Sequence, residues 1–266
     1  MRNRHGQAYP ALLLALCCLL AALSGCSSGG SVLGGEDKTV GLSNLWDSPV
    51  FPSPGGTSEP EAGESPYAPV ELITQSPELP NGCEVTSLAM LLNSAGYPVD
   101  HLDLYENYLP TQGFTYQGGQ RLGPSPEEYY VGDATSQSGG WYCFEGPIVQ
   151  AGNAFLADAG GDARVVSVTS LSREELEDYA LDGVPLAVWV TLGYADPAYA
   201  SSYTWTLPGG ETYIPYSNLH CVVLSGMEDG LFQVADPIYG EYSIDPDVLW
   251  DCFAAMGQRA VMVELG

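Results

Sequence analysis

Residues 220–237, HCVVLSGMEDGLFQVADP, constrain the fold of this chain more than any other stretch. HCVVLSG reads as a buried strand, MEDG as a turn and LFQVADP as a second strand. Two strands joined this closely are antiparallel neighbours, so the fold must contain an antiparallel sheet. If Gly226 faces Leu231, His220 falls across from Pro237 and Cys221 across from Asp236. A turn tighter by one residue sets His220 opposite Asp236 itself. In either register Asp236 lies beside His220, where a carboxylate can orient an imidazole and support its cation. An Asp at a strand end also caps the turn that follows it, so the pair is not yet a site.

The second informative stretch is ELPNGCEVTSLAMLL, Glu78 to Leu92. Asn81-Gly82 make a turn. Beyond it Val85, Leu88, Ala89 and Leu92 recur at the spacing of an amphipathic helix, which Gly96 and Pro98 stop. Cys83 begins that helix on the side of Thr86 and Ser87, away from the apolar stripe. Free N–H groups and the helix dipole favour an anion there, drawing a thiol toward thiolate. Glu84 opposes this unless its side chain swings outward. A cysteine at this place can equally be structural, and the helix alone leaves that open.

A cysteine nucleophile needs a base, and histidine is the usual one. His101 follows GYPVD in a polar loop and is expected to be solvated, which leaves His220. Cys83, His220 and Asp236 together form a nucleophile, a base and an orienting group.

The N-terminus bounds the part that can fold. Arg2 and Arg4 precede the apolar run ALLLALCCLLAALSGC, too short and too early for a comfortable membrane span. Its end, Leu23-Ser24-Gly25-Cys26, resembles a bacterial lipoprotein signal in which residues 1–25 are removed and Cys26 is lipidated. Residues 26–66, rich in Gly, Ser, Pro and acids, are expected to be a flexible tether. Within it Leu45, Trp46 and Phe51 form a bulky cluster able to dock on the domain. Residues 67–266 suffice for one domain with a sizeable core.

The expected location is therefore outside the cell, lipid-anchored to the outer face of the bacterial membrane. The formal charge is −26, and −28 once Arg2 and Arg4 leave with the signal. Such a surface repels nucleic acid and bare anionic lipid, so contact with the membrane is expected through the N-terminal lipid only. Cys83, Cys143, Cys221 and Cys252 remain in the domain, an even number that permits two disulfides. No close pair of them suggests zinc, and with two histidines left after maturation neither a metal nor another cofactor is expected.

The residues resemble papain-fold cysteine peptidases of the bacteriocin-processing (double-glycine) type, in their exported stand-alone branch. LPNGCEVTSLAMLL is similar to the nucleophile turn and helix of that family, GPSPEEYYVGDATSQSGGWYCFEGPIV to its central loop and GVPLAVWVTLGY to a core strand. HCVVLSGMEDGLFQVADPIYG resembles its His–Asp hairpin and GQRAVMV its closing strand. Met227 departs from the Tyr usual after the hairpin glycine.

The resemblance implies Cys83 as nucleophile, His220 as general base and acid, and Asp236 as orienter. It also implies an upstream side-chain donor for the oxyanion. Gln75 fits that role, though its spacing of eight residues from Cys83 is longer than the papain pattern. The Cys83 N–H would be the second donor. Under this reading Cys221 is a buried small hydrophobe, and a Cys143–Cys252 disulfide is an open possibility.

The implied fold is α+β and papain-like: an N-terminal helix carrying Cys83 packs on an antiparallel sheet carrying His220 and Asp236. SREELEDYALDG reads as a further helix with Ser172 as N-cap and Glu175 at the third position, delivering the buried strand Val184 to Leu192. Trp205 and the tyrosines between Gly193 and Leu219 either line the cleft or cover the sheet edge. The function this implies is hydrolysis of a peptide or other amide bond, with a peptide or protein as substrate. Two alternatives share the fold: an inactive module that binds peptide or cell-wall ligand, and a transferase or peptidoglycan amidase using the same triad.

Overall fold

A computed structural model describes residues 65–266. The lipidation motif at Cys26, the signal and nearly all of the tether therefore lie outside the described residues. Five helices occur among them: α1 (Cys83–Ser94), α2 (His101–Asn107), α3 (Glu145–Ala159), α4 (Arg173–Leu181) and α5 (Pro246–Ala255). The first strands are β1 (Thr111–Gln112), β2 (Thr115–Gln117), β3 (Gln120–Leu122), β4 (Tyr130–Val131), β5 (Arg164–Ser167) and β6 (Leu186–Thr191). They are followed by β7 (Trp205–Thr206), β8 (Thr212–Tyr213), β9 (Leu219–Glu228), β10 (Leu231–Asp236), β11 (Gly240–Ile244) and β12 (Ala260–Glu264).

The central sheet has the order β11-β10-β9-β6-β12-β5, and each neighbouring pair is antiparallel. Helices cover both of its faces, which is why β6 reads LAVWVT with every residue buried. Its side chains alternate between two cores. Ala187 and Trp189 join Leu88 of α1 and Ile148 of α3 on one face. Leu186, Val188 and Val190 meet Leu176 of α4 and Phe253 of α5 on the other. Each large apolar side chain so buried contributes about 1.5–3 kcal/mol, so the middle strands β6 and β9 are the rigid frame of the site. The architecture is the expected α+β one.

The helix at Ser172 forms as expected. Ser172 accepts from the Glu175 N–H while the Glu175 carboxylate accepts from the Ser172 N–H, a reciprocal cap worth about 1 kcal/mol. Helix α1 is more deeply seated than an amphipathic reading suggests, since every residue from Cys83 to Leu92 is buried. Thr86 and Ser87 are covered along with the apolar stripe, and the Ser87 hydroxyl donates to the Cys221 carbonyl.

The hairpin register differs from the expected one. Strand β9 runs on to Glu228, and the turn is Asp229-Gly230, both with positive φ (50° and 77°). This is the Asp-Gly turn whose twist suits a two-residue hairpin. Leu231 accordingly pairs with Glu228, not Gly226. A bulge then intervenes: Gln233 pairs with Gly226 but Val234 with Leu224, leaving Ser225 as an extra residue in β9. Continuing from the Ala235–Val223 pair puts Asp236 across from Val222. Val222 and His220 share one side of the strand, so the bulge brings Asp236 onto the face of His220. Without Ser225 in excess, Asp236 would fall across from Val223 and point to the other side.

Candidate active site

Cys83 is the first residue of α1, and the turn before it is pinned from several directions. The Gly82 N–H donates to the Leu79 carbonyl, the Asn81 N–H to Ala134 O, and the Asn81 side chain to Ser136 O. The Tyr130 hydroxyl donates to Asn81 O. Glycine is required at 82 by space, because a Cβ there would lie 2.7 Å from the Leu79 Cβ. Gly82, at the N-cap, offers no capping side chain to the N–H groups of the first turn, and the N–H of Glu84 is met by its own carboxylate.

His220 and Asp236 are both buried, at 2% and 1% exposure, and His220 Nε2 lies 2.9 Å from Asp236 Oδ1. The carboxylate is itself held by the N–H groups of Ile238 and Tyr239 on Oδ1 and by the Tyr242 hydroxyl on Oδ2. The Tyr242 hydroxyl in turn lies 2.8 Å from that of Tyr194. Burial works against the Asp236 charge, but the hydrogen bond and charge of His220 and the two N–H groups outweigh it and hold its pKa below the ordinary value. An ionised Asp236 only accepts, so Nε2 carries the ring proton. Nδ1 is then the free lone pair, and among the described residues it has no hydrogen-bond partner.

Gln75 is buried at 2% exposure and anchored beside the end of β10 by its N–H to Pro237 O. Its Nε2 donates to Pro80 O at 2.7 Å, which leaves a second proton on that nitrogen. Gln75, Cys83 and His220 line one cleft of about 240 Å³, whose walls include Trp141, Tyr142, Tyr216 and Ile238. Among the described residues no Asp, Glu, Lys or Arg lines it, despite the acidity of the whole chain. Trp205 is elsewhere, buried in the small sheet β2-β3-β7-β8 with its indole N–H on Pro124 O. Of the aromatic segment before β9, Tyr216 is the ring that reaches the cleft.

The sequence profile of the Peptidase_C39 like family matches residues 67–261. The chain belongs to this family. The uncharacterized protein YvpB of Bacillus subtilis (strain 168) is 30% identical over 255 residues, covering 93% of this chain and 97% of that protein. A Bacillus anthracis crystal structure, classed as a C39-like peptidase, matches with a TM-score of 0.61 and 28% identity, covering 75% of this chain and 98% of that one. A double glycine motif protease from an AMS/PCAT transporter, solved with a leader peptide, is a more distant likeness at TM-score 0.41 and 12% identity. Family and fold together are those of the C39-like peptidases, with the papain-like α+β arrangement.

In this C39-like chain the residue after the cysteine does not swing outward. Glu84 is buried, its Oε1 accepting the Cys143 N–H at 3.1 Å and its Oε2 the Cys83 thiol at 3.3 Å. Burial raises the Glu84 pKa to about 7, against hydrogen bonds from its own backbone, the thiol and Cys143 that lower it. Cys83 is likewise raised well above the usual thiol range, by burial first and by the Glu84 charge second. The surroundings of Cys83 thus favour the thiol over the thiolate, opposite in direction to the pull expected of the helix end. Desolvation of a buried sulfur outweighs the dipole of one helix end.

Three further residues sit differently from expectation. His101 is not solvated in a loop; it is buried as the first residue of α2, behind the N-cap Asp100. It lines a larger, shallower hollow of about 890 Å³ that contains Glu78 and Asp100 but no thiol. Cys143 and Cys252 form no disulfide. They belong to the cores on opposite faces of the sheet, and Cys83, Cys143, Cys221 and Cys252 are all free. Cys221 is fully buried, as a small hydrophobe would be. Among the described residues no group of three or more metal-ligating side chains comes together.

Proposed function

We propose that this chain is a cysteine peptidase that hydrolyses a peptide or amide bond through an acyl-enzyme on Cys83. The observation that carries the reading is the state of His220: Nε2 is engaged by Asp236, and Nδ1 is unpartnered in a cleft shared with Cys83. His220 Nδ1 takes the thiol proton as the sulfur attacks the carbonyl carbon. The oxyanion forms against the Cys83 N–H and the spare Gln75 Nε2 proton. The imidazolium, steadied by Asp236, then gives its proton to the leaving amine. Water, deprotonated by His220, releases the acyl group and restores the thiol.

The partly aromatic cleft, lined among the described residues by no Asp, Glu, Lys or Arg, suits an uncharged stretch of a peptide or protein substrate. The reading is tested by screening a peptide library with wild type and Cys83→Ala in parallel. Cleavage by wild type alone is expected; equal cleavage by both overturns it.

We further propose that the protein acts outside the cell, held to the outer face of the membrane by a lipid on Cys26. Support comes from Arg2, Arg4, the apolar run and the small residues before Cys26. Cys26→Ser is expected to abolish labelling by a fatty-acid analogue and to free the protein from the membrane fraction. Unchanged labelling contradicts the assignment.

A further inference from the structure

The acid–base scheme above leaves one buried ionisable group beside the nucleophile without a role. Glu84 touches Cys83 Sγ through Oε2 and the Cys143 N–H through Oε1. The Cys143 peptide is fixed on its other side too, since the Trp189 indole N–H donates to Cys143 O at 2.9 Å. The carboxyl is thus linked through the Cys143 peptide to Trp189 of β6 while its other oxygen meets the sulfur. Among the described residues its surroundings offer no Lys or Arg: they are Cys83 on its own helix, Tyr130 of β4, Cys143 before α3, and Cys221 of β9, with His220 across the cleft. The Tyr130 hydroxyl is already spent on Asn81 O.

Two buried anions at 3.3 Å with no cation between them would repel strongly, so carboxyl and thiol do not ionise together: the pair carries at most one negative charge, and when it does the two groups share one proton. Transfer is balanced within the pair. In the resting pair an S–H bond breaks as an O–H bond forms on Oε2, and the reverse, with the charge on whichever group lacks the proton; on attack the proton is back on sulfur and leaves it for His220 Nδ1.

We propose that Glu84 is a positioning residue of the nucleophile, sharing a single proton with Cys83 and thereby setting the pH at which the thiolate forms. The role rests on Cys83 being the nucleophile. The ordinary burial of a carboxylate as a packing element would leave the thiol's titration unmoved.

The test follows iodoacetamide alkylation of Cys83, located by peptide mapping, between about pH 5 and 9. Glu84→Gln keeps an acceptor for the Cys143 N–H and removes the charge. Its alkylation limb is expected to lie at least about one pH unit lower, giving about tenfold faster labelling near pH 6. Glu84→Asp, which retains the charge, is expected to return the limb toward wild type. A Glu84→Gln profile that superimposes on wild type, in protein whose circular dichroism spectrum is that of wild type, overturns the proposal. If Glu84→Gln does not fold, Cys83→Ala is followed by the infrared band of the protonated carboxyl. Loss of the thiol donor moves that titration to higher pH, and an unmoved band overturns the proposal. Neither readout requires turnover, so a failure of the library screen and a failure here are separate results.

Discussion

His220 Nε2 lies 2.9 Å from Asp236 Oδ1, and this hydrogen bond determines which ring nitrogen is left as a base. Asparagine at 236 could present its amide N–H to Nε2 and favour the tautomer protonated on Nδ1. Asp236→Asn is therefore expected to lower kcat by about 10³–10⁴-fold with the fold intact. Circular dichroism and peptide turnover measured on one preparation check this. A loss under tenfold would mean that Asp236 does not set the tautomer.

Gln75 has one Nε2 proton on Pro80 O and one to spare. If the spare proton meets the oxyanion, Gln75→Ala lowers kcat by about 10²–10³-fold and leaves KM nearly unchanged. Steady-state kinetics on a cleaved library peptide separate the two parameters. A rise in KM alone would instead make Gln75 a ground-state binding residue.

Glu84 also leaves a mark on stability. Its pKa of about 7 in the folded protein lies above the ordinary value of 4.5, so between those pH values the folded state binds more protons than the unfolded state. Stability from this group is full below about pH 4.5 and falls as pH rises through about 7, by on the order of 3 kcal/mol. Glu84→Gln removes that dependence. Its melting temperature is expected to gain on wild type between acid and neutral pH. A difference that is flat with pH would contradict the burial of an ionisable carboxyl there.

The parts legible in the sequence were those that local chemistry decides. The capping residues of α4, the turn and helix at Cys83 and the buried strand β6 each follow from residue type and period. Cys83, His220 and Asp236 were candidates on residue type and place, and Gln75 through the family resemblance; the structure gathers Gln75, Cys83 and His220 at one cleft and sets Asp236 against His220. The hairpin register was not, because it depends on the Ser225 bulge, and no residue pattern in HCVVLSG distinguishes a bulged strand from a straight one. The buried state of Glu84 was hidden as well. Its partner is the Cys143 N–H, 59 positions away in sequence, and only the packing of α1 against the segment before α3 brings the two together. Tyr242 and Tyr194 escaped notice by the same rule, since the contact with Asp236 requires β11 to fold back beside β10.

The proposed hydrolysis passes through a covalent intermediate at Cys83, and trapping it is the most direct test. Wild-type protein turning over a library peptide, or its activated ester, is quenched in acid and digested for mass spectrometry. An acyl adduct on the peptide bearing Cys83, absent from Cys83→Ala and accumulating in His220→Ala only slowly, is the predicted result. An adduct on another residue, or product formed by Cys83→Ala at the wild-type rate, would contradict the central claim.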